Sequence, residues 1–137
     1  MPFEGSILEN ITFGRKGISQ EYLHTVLKEL GLLTFIKQQK NGINTILNPE
    51  GQQIPFTVSK RIVLARAIIT SPKLLLLKDP LEHLDVLEAE QIVKYLTSTE
   101  RPWALVVSSR NDLWKTYCNQ TIEIIEGEIT SKNKSNA

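Results

Sequence analysis

Between Ser19 and Gly31 the apolar residues Tyr22, Leu23, Val26, Leu27 and Leu30 recur at helical spacing. Ser19 is placed to cap the start and Gly31 to end it, so the pattern predicts a helix with one buried face. Leu33, Phe35 and Ile36 predict a shorter helix closed by Asn41-Gly42. The stretch 43–53, broken by Pro49 and Gly51, predicts an irregular connection. From Thr57 to Ile69, the residues Val58, Ile62, Ala65 and Ile69 share a face that Val63, Leu64 and Ala67 widen, which predicts a mostly buried helix.

After Ser71-Pro72 the pattern changes. Leu74 to Leu77, flanked by Lys73 and Lys78, form a continuous apolar run of strand length, which predicts a parallel strand covered on both faces. Asp85-Val-Leu-Glu88 has capping-box spacing, and Ala89, Ile92, Val93 and Leu96 then form one stripe, predicting a helix to about Thr97. Trp103 to Val107 predicts a second buried strand and Asp112 to Tyr117 a short helix. Thr121 to Ile125 predicts a third strand, hairpinned through Glu126-Gly127 to Glu128-Ile-Thr130. The alternation indicates an α/β fold: helices first, then a small, mainly parallel sheet with flanking helices and a C-terminal hairpin. Ser131 to Ala137 has no apolar residue before its last, and a disordered tail is expected there.

Composition narrows the function. A chain of 137 residues, 41% of them apolar, suits one domain or a piece of one. Sixteen basic against fifteen acidic groups leave a net charge of +1, too little to hold nucleic acid or an anionic membrane surface by bulk electrostatics. No stretch reaches the roughly 18 apolar residues of a membrane span, so no direct membrane insertion is expected of this segment. Met1-Pro2-Phe3-Glu4 lacks the basic start of a secretory signal. Cys118 stands alone and cannot form an internal disulfide, which fits a reducing compartment.

Four segments in fixed order resemble the nucleotide-binding domain of ABC transporters of the exporter type. Phe3-Glu-Gly-Ser-Ile-Leu-Glu-Asn-Ile-Thr-Phe-Gly-Arg15 is similar to the family's F-x-G-T-I-x-E-N-I-x-F-G segment, which follows the Q-loop. Phe35-Ile36 through Gly42-Ile-Asn-Thr45 and Glu50-Gly51 resemble the helical subdomain and the loop before the signature. Ile62-Val-Leu-Ala-Arg-Ala-Ile68 resembles the R-I-A-L-A-R-A-L helix. Pro72-Lys-Leu-Leu-Leu-Leu-Lys-Asp-Pro80 with Leu84-Asp85 resembles the Walker B and D-loop run. The resemblance implies a partial P-loop NTPase-like fold: 1–56 as helical subdomain and preceding loop, 57–131 as the second half of the ATPase core, and 132–137 as the tail. It also implies ATP and Mg as the family's ligands, a transmembrane domain and a second nucleotide-binding domain as partners, and a place on the cytoplasmic side of a membrane.

The chemical positions depart from the family pattern. No G-x-x-x-x-G-K-[ST] string occurs, so the phosphate cradle at a helix N-terminus has no counterpart in these residues, and the resemblance covers only the second part of such a domain. Where L-S-G-G-Q is expected stand Ile54, Pro55, Phe56, Thr57 and Val58. Pro55 has no N–H, and Phe56 puts a ring where glycine lets backbone approach phosphate. Lys78 falls at the Walker B aspartate. At about 4 Å and an effective dielectric of about 20, that charge reversal disfavours a divalent ion by more than about 8 kcal/mol. Asp79 falls at the catalytic glutamate, one methylene short, and Ser109 at the switch histidine. Asp85 matches the D-loop aspartate, and also suits a helix N-cap.

Blander roles compete at these sites. Lys78 and Asp79 also read as a solvated pair, Arg61 and Arg66 as partners of nearby carboxylates or water, and His24 and His83 as surface residues. Trp103 and Trp114 read as packing, and Cys118 as an inert, partly buried thiol. The expected function is a catalytically degenerate C-terminal part of an ABC exporter ATP-binding domain that binds neither ATP nor Mg by itself. Residues 19–39 and the loop 48–51 would transmit motion to membrane segments. The alternatives are a non-enzymatic interaction module that has lost nucleotide, and a working ATPase whose first half supplies the phosphate site. In the family's topology the Walker A strand lies between the strands matching 103–107 and 121–125. Its absence predicts that the last strand moves inward to pair directly, or that a second chain fills the slot as a homodimer.

Overall fold

A computed structural model describes residues 1–48 and 54–134. Its elements run β1 (Gly5–Ser6), α1 (Ile7–Thr12), α2 (Gln20–Glu29), α3 (Leu33–Gln38), a 3₁₀ turn (Gly42–Asn44), β2 (Ile46–Leu47), α4 (Phe56–Ile68), β3 (Leu74–Lys78), α5 (Val86–Thr97), β4 (Ala104–Ser108), α6 (Leu113–Tyr117), β5 (Gln120–Ile125) and β6 (Glu128–Lys134). The mixed α/β architecture, the small parallel sheet and the C-terminal hairpin are those expected.

Local chemistry sets the element ends. Ser19 Oγ accepts the Tyr22 N–H at 3.0 Å and so caps α2, and Gly31 follows α2 in the left-handed region at φ +66°. Asp85 caps α5 by accepting the Glu88 N–H at 2.9 Å. The Glu88 carboxylate accepts from Arg61 Nη1 at 3.1 Å, so its partner is a guanidinium on α4. The reciprocal box that does form lies at Ser6 and Glu9. There Ser6 Oγ accepts the Glu9 N–H at 3.0 Å and Glu9 Oε2 accepts the Ser6 N–H at 2.7 Å. It starts α1, in a segment where periodicity predicts no element.

One hydrophobic core joins the helices to the sheet. Ile7 and Ile11 of α1, Val26 and Leu30 at the end of α2, Ile62 and Ile68 of α4, and Ile92 and Leu96 of α5 are almost fully buried. Tyr22 Oη donates to the Ile68 carbonyl at 2.9 Å, pinning α2 to the end of α4. Trp103 and Trp114 are buried as packing residues, and Trp103 Nε1 donates to the Leu96 carbonyl at 3.0 Å.

The sheet itself is smaller and barer than the apolar runs predict. β3 and β4 pair in parallel, Leu74 opposite Ala104 through Lys78 opposite Ser108, and no further strand joins them among the described residues. Leu75, Leu77, Leu105 and Val107 turn towards the core. Leu74, Leu76 and Val106 turn outwards and are 55, 65 and 57% exposed, forgoing on the order of 1 kcal/mol each against full burial. Neither strand is therefore covered on both faces as expected, because among the described residues helices pack against one side only. The inward shift of the last strand does not occur either. β5 pairs with β6 alone among the described residues, with a register shift between Glu123 and Ile124. β6 runs on to Lys134, where a tail is expected from Ser131, and residues 135–137 lie outside the described residues.

Asn10 is fully buried and stitches the N-terminal segment to α1 and α4. Its Oδ1 accepts the Phe3 N–H at 2.8 Å and Arg66 Nη2 at 3.0 Å, and its Nδ2 donates to the Phe3 and Ser6 carbonyls at 2.9 and 3.0 Å. Asn10→Ala removes these bonds and strands half-buried and buried partners, so it lowers stability by about 3 kcal/mol. Urea denaturation checks this; a loss below about 1 kcal/mol contradicts it.

Candidate functional site

The site of interest is where α4 begins beside the carboxyl ends of β3 and β4, the end of a parallel sheet at which α/β proteins bind ligands. Pro55 occupies the N-cap of α4 and makes no side-chain capping bond. Val58 is buried in the core and Ile54 packs against it, while Pro55 and Phe56 are exposed. Of the five signature-like residues, two serve packing. The ring of Phe56 stands at the helix start with Lys60 Nζ 5.1 Å from its centroid, one helical turn on.

Lys60 reaches from α4 to the turn after β3. Its ammonium donates to Glu82 Oε2 at 2.6 Å and to the Asp79 carbonyl at 3.1 Å. His83 stands edge-on to Phe56, ring centroids 5.5 Å apart. Asp79 and His83 both take left-handed backbone conformations, at φ +42° and +65°. Asp and His tolerate that region better than most residues, and the Lys60 bonds help to hold the turn there. The Lys60 hydrogen bond and charge hold the Glu82 carboxyl below the ordinary range, with His83 and Lys78 adding to the effect.

The other expected site residues lie around this turn without forming one constellation. Lys78 ends β3, exposed, opposite Ser108 of β4, and the Asp79 N–H donates to the Ser108 carbonyl at 2.9 Å. Among the described residues no carboxylate lies within ion-pair distance of the Lys78 ammonium. Ser109 is spent locally, its Oγ accepting the Asn111 N–H at 3.1 Å. Asp85 is engaged in capping α5. No three His, Cys, Asp or Glu side chains gather as a ligand set among the described residues. The donor set beside Asp79 therefore does not suit the family's magnesium: the nearest side chain in sequence is a cation.

Arg61 and Arg66 divide their roles. Arg61 pairs with Glu88, as expected, and also donates to the Gly31 carbonyl at 3.1 Å. Arg66 pairs with no carboxylate among the described residues. Its Nε donates to the Asn10 carbonyl at 2.6 Å, and its guanidinium lies 5.2 and 5.6 Å from the ring centroids of Phe3 and Phe13. Burial pushes the Cys118 thiol up, away from nucleophilic reactivity. His24 and His83 are exposed. The loop 48–51 lies mostly outside the described residues, which take up again at 54. The Lys60–Glu82 contact is invisible to motif reading because 22 residues separate its partners.

No family model matches the chain. Curated proteins do. The chain is 38% identical over 92 residues, 67% of its length, to the multidrug resistance protein pgp-1 of Caenorhabditis elegans. It is 34% identical over 92 residues, also 67% of its length, to ABC transporter B family member 1 of Dictyostelium discoideum. It is 30% identical over 108 residues, 79% of its length, to the antigen peptide transporter 2 of Rattus norvegicus. These stretches span 7, 10 and 15% of the three relatives' own lengths. The chain is thus related to the ATP-binding region of ABC exporters over most of its residues. No helix among the described residues is long and apolar enough to cross a membrane.

The contact between Lys60 and Glu82 makes a titration prediction. A carboxyl held below its ordinary pKa stabilises the fold fully above that ordinary value, and the contribution fades as pH falls through the depressed one. Lys60→Met should raise the Glu82 midpoint towards the ordinary carboxyl range in a carbon-detected NMR titration. An unmoved midpoint contradicts the contact.

Proposed function

We propose that this chain is the second part of an ABC exporter ATP-binding domain whose catalytic positions have degenerated, and that it works as a structural, coupling half-domain. The observation that carries the reading is Lys78. It is an exposed cation at the carboxyl end of β3, with no carboxylate paired to it among the described residues, where the family pattern needs an anion to hold magnesium. Three other features support it. Pro55 and Phe56 replace the N–H donors and glycine of the signature loop, and Lys60 draws the start of α4 onto the Asp79 turn. Ser109 spends its hydroxyl on its own turn.

In this reading ATP and magnesium belong to a partner site. The partners are a transmembrane domain and a second nucleotide-binding domain, and the chain sits on the cytoplasmic side of the membrane. Its helices α2 and α3, with the loop 48–51, pass motion to the membrane segments. Asp79 keeps a carboxylate at the water-positioning place. Its neighbour Lys78 repels the ion that would bring phosphate within reach, so no hydrolytic step runs through it.

The test is phosphate release by the purified chain supplied with Mg-ATP. The expected rate equals the protein-free blank, and Asp79→Ala leaves it unchanged. Turnover above the blank that Asp79→Ala abolishes overturns the reading.

A further inference from the structure

The end of α1 departs from the cap that its own sequence provides. Helices commonly close on a glycine in the left-handed region, and Gly14 stands ready one residue after Phe13, at φ +70°. Yet α1 stops at Thr12, and Phe13 itself caps it in the left-handed region, at φ +55° and ψ +36°. For an aromatic residue that backbone is an outlier, kept only where the surroundings hold it. The Phe13 N–H donates to the Glu9 carbonyl at 2.8 Å, a bond that Phe13 would make equally well inside a longer helix.

Arg66 of α4 acts on this helix end in two ways. Its Nε donates to the Asn10 carbonyl at 2.6 Å. That oxygen lies four residues before Gly14, so it is the acceptor that the Gly14 N–H would need if α1 were one residue longer. The same guanidinium lies 5.6 Å from the ring centroid of Phe13 and 5.2 Å from that of Phe3, and the two rings meet edge to face at 5.4 Å. Its Nη2 donates to Asn10 Oδ1 at 3.0 Å, and the Asn10 amide in turn bonds the Phe3 N–H and carbonyl. Arg66 therefore competes for the carbonyl that would extend the helix and attracts the ring that extension would carry away. Every group involved lies within the described chain, and Asn10 at its centre is fully buried.

We propose that the end of α1 is a two-position switch set by Arg66. With the guanidinium on Asn10 and beside the two rings, Phe13 stays left-handed and α1 ends at Thr12. With the guanidinium withdrawn, Phe13 turns helical, the Gly14 N–H bonds the Asn10 carbonyl and Gly14 becomes the cap. The two positions differ by defined contacts: guanidinium and ring interactions in the first, one more helical bond and a relaxed backbone in the second. Because Arg66 belongs to α4 and Phe3 to the N-terminal segment, the switch registers how those two are seated against α1. It uses no nucleotide and no residue of the candidate site, so it stands or falls separately from the proposed function.

Backbone NMR on the whole 137-residue chain reads the switch. The amide-to-Hα coupling and carbon shifts of Phe13 separate left-handed from helical backbone, and hydrogen exchange at the Gly14 amide reports the added bond. The unaltered chain should show a left-handed Phe13 and fast exchange at Gly14. Arg66→Met should turn Phe13 helical and slow Gly14 exchange about tenfold. Adding Phe13→Gly to that variant removes the strain that drives extension, and should restore fast exchange. Phe3→Ala, which takes away one ring and leaves the Asn10 bonds to Arg66 in place, should move Phe13 the same way by a smaller amount, and it decides the matter if Arg66→Met does not fold. A helical Phe13 in the unaltered chain overturns the proposal. So does a Phe13 that stays left-handed in either folded variant, or faster exchange across residues 12–14 in place of an ordered, longer helix.

Discussion

Lys78 carries its charge at the carboxyl end of a sheet that is two strands wide among the described residues, and the proposed function rests on that placement. The backbone around it is ordinary. β3 pairs with β4 residue by residue to Ser108, and the Asp79 N–H continues the ladder to the Ser108 carbonyl. The proposed departure lies in the side chain: an ammonium cannot ligate a divalent cation and repels one nearby. Asp79 follows this cation in sequence, and the turn that carries it is drawn towards α4 by Lys60.

That turn is held by contacts among its own side chains and the start of α4. Phe56, Lys60, Asp79, Glu82 and His83 form a compact set of ring, ion-pair and carbonyl contacts across the start of α4. The contacts are exposed or half-buried and individually modest. Together they link two elements at the edge of the core, while the heavier work falls to buried Ile62, Ile68, Ile92 and Leu96. Further along α4 Arg66 does something comparable, spreading its guanidinium between the Asn10 carbonyl and two phenylalanine rings.

Much of the fold is legible in the chain because local rules dominate there. Ser19, Gly31 and Asp85 end or start helices by hydrogen bonding or by a left-handed backbone, and each does so in place. The run Leu74 to Leu77 gives the strand but misleads on its cover, since four consecutive leucines cannot say how many layers pack against them. Ser6 and Glu9 carry a capping-box signature that periodicity passes over because α1 has only six residues. The candidate site is legible as single departures at Pro55, Phe56, Lys78, Asp79 and Ser109. Its organisation is not, because Lys60 and Glu82 meet only through the packing of α4 on the end of β3.

On the proposed reading, the carboxyl end of β3 repels a divalent ion. Paramagnetic broadening of backbone amide signals by manganese, titrated with and without ATP, measures this directly. Asp79, Ser108 and Ser109 should show no saturable broadening beyond that of exposed carboxylates elsewhere. Saturable broadening centred on Asp79 would contradict the claim.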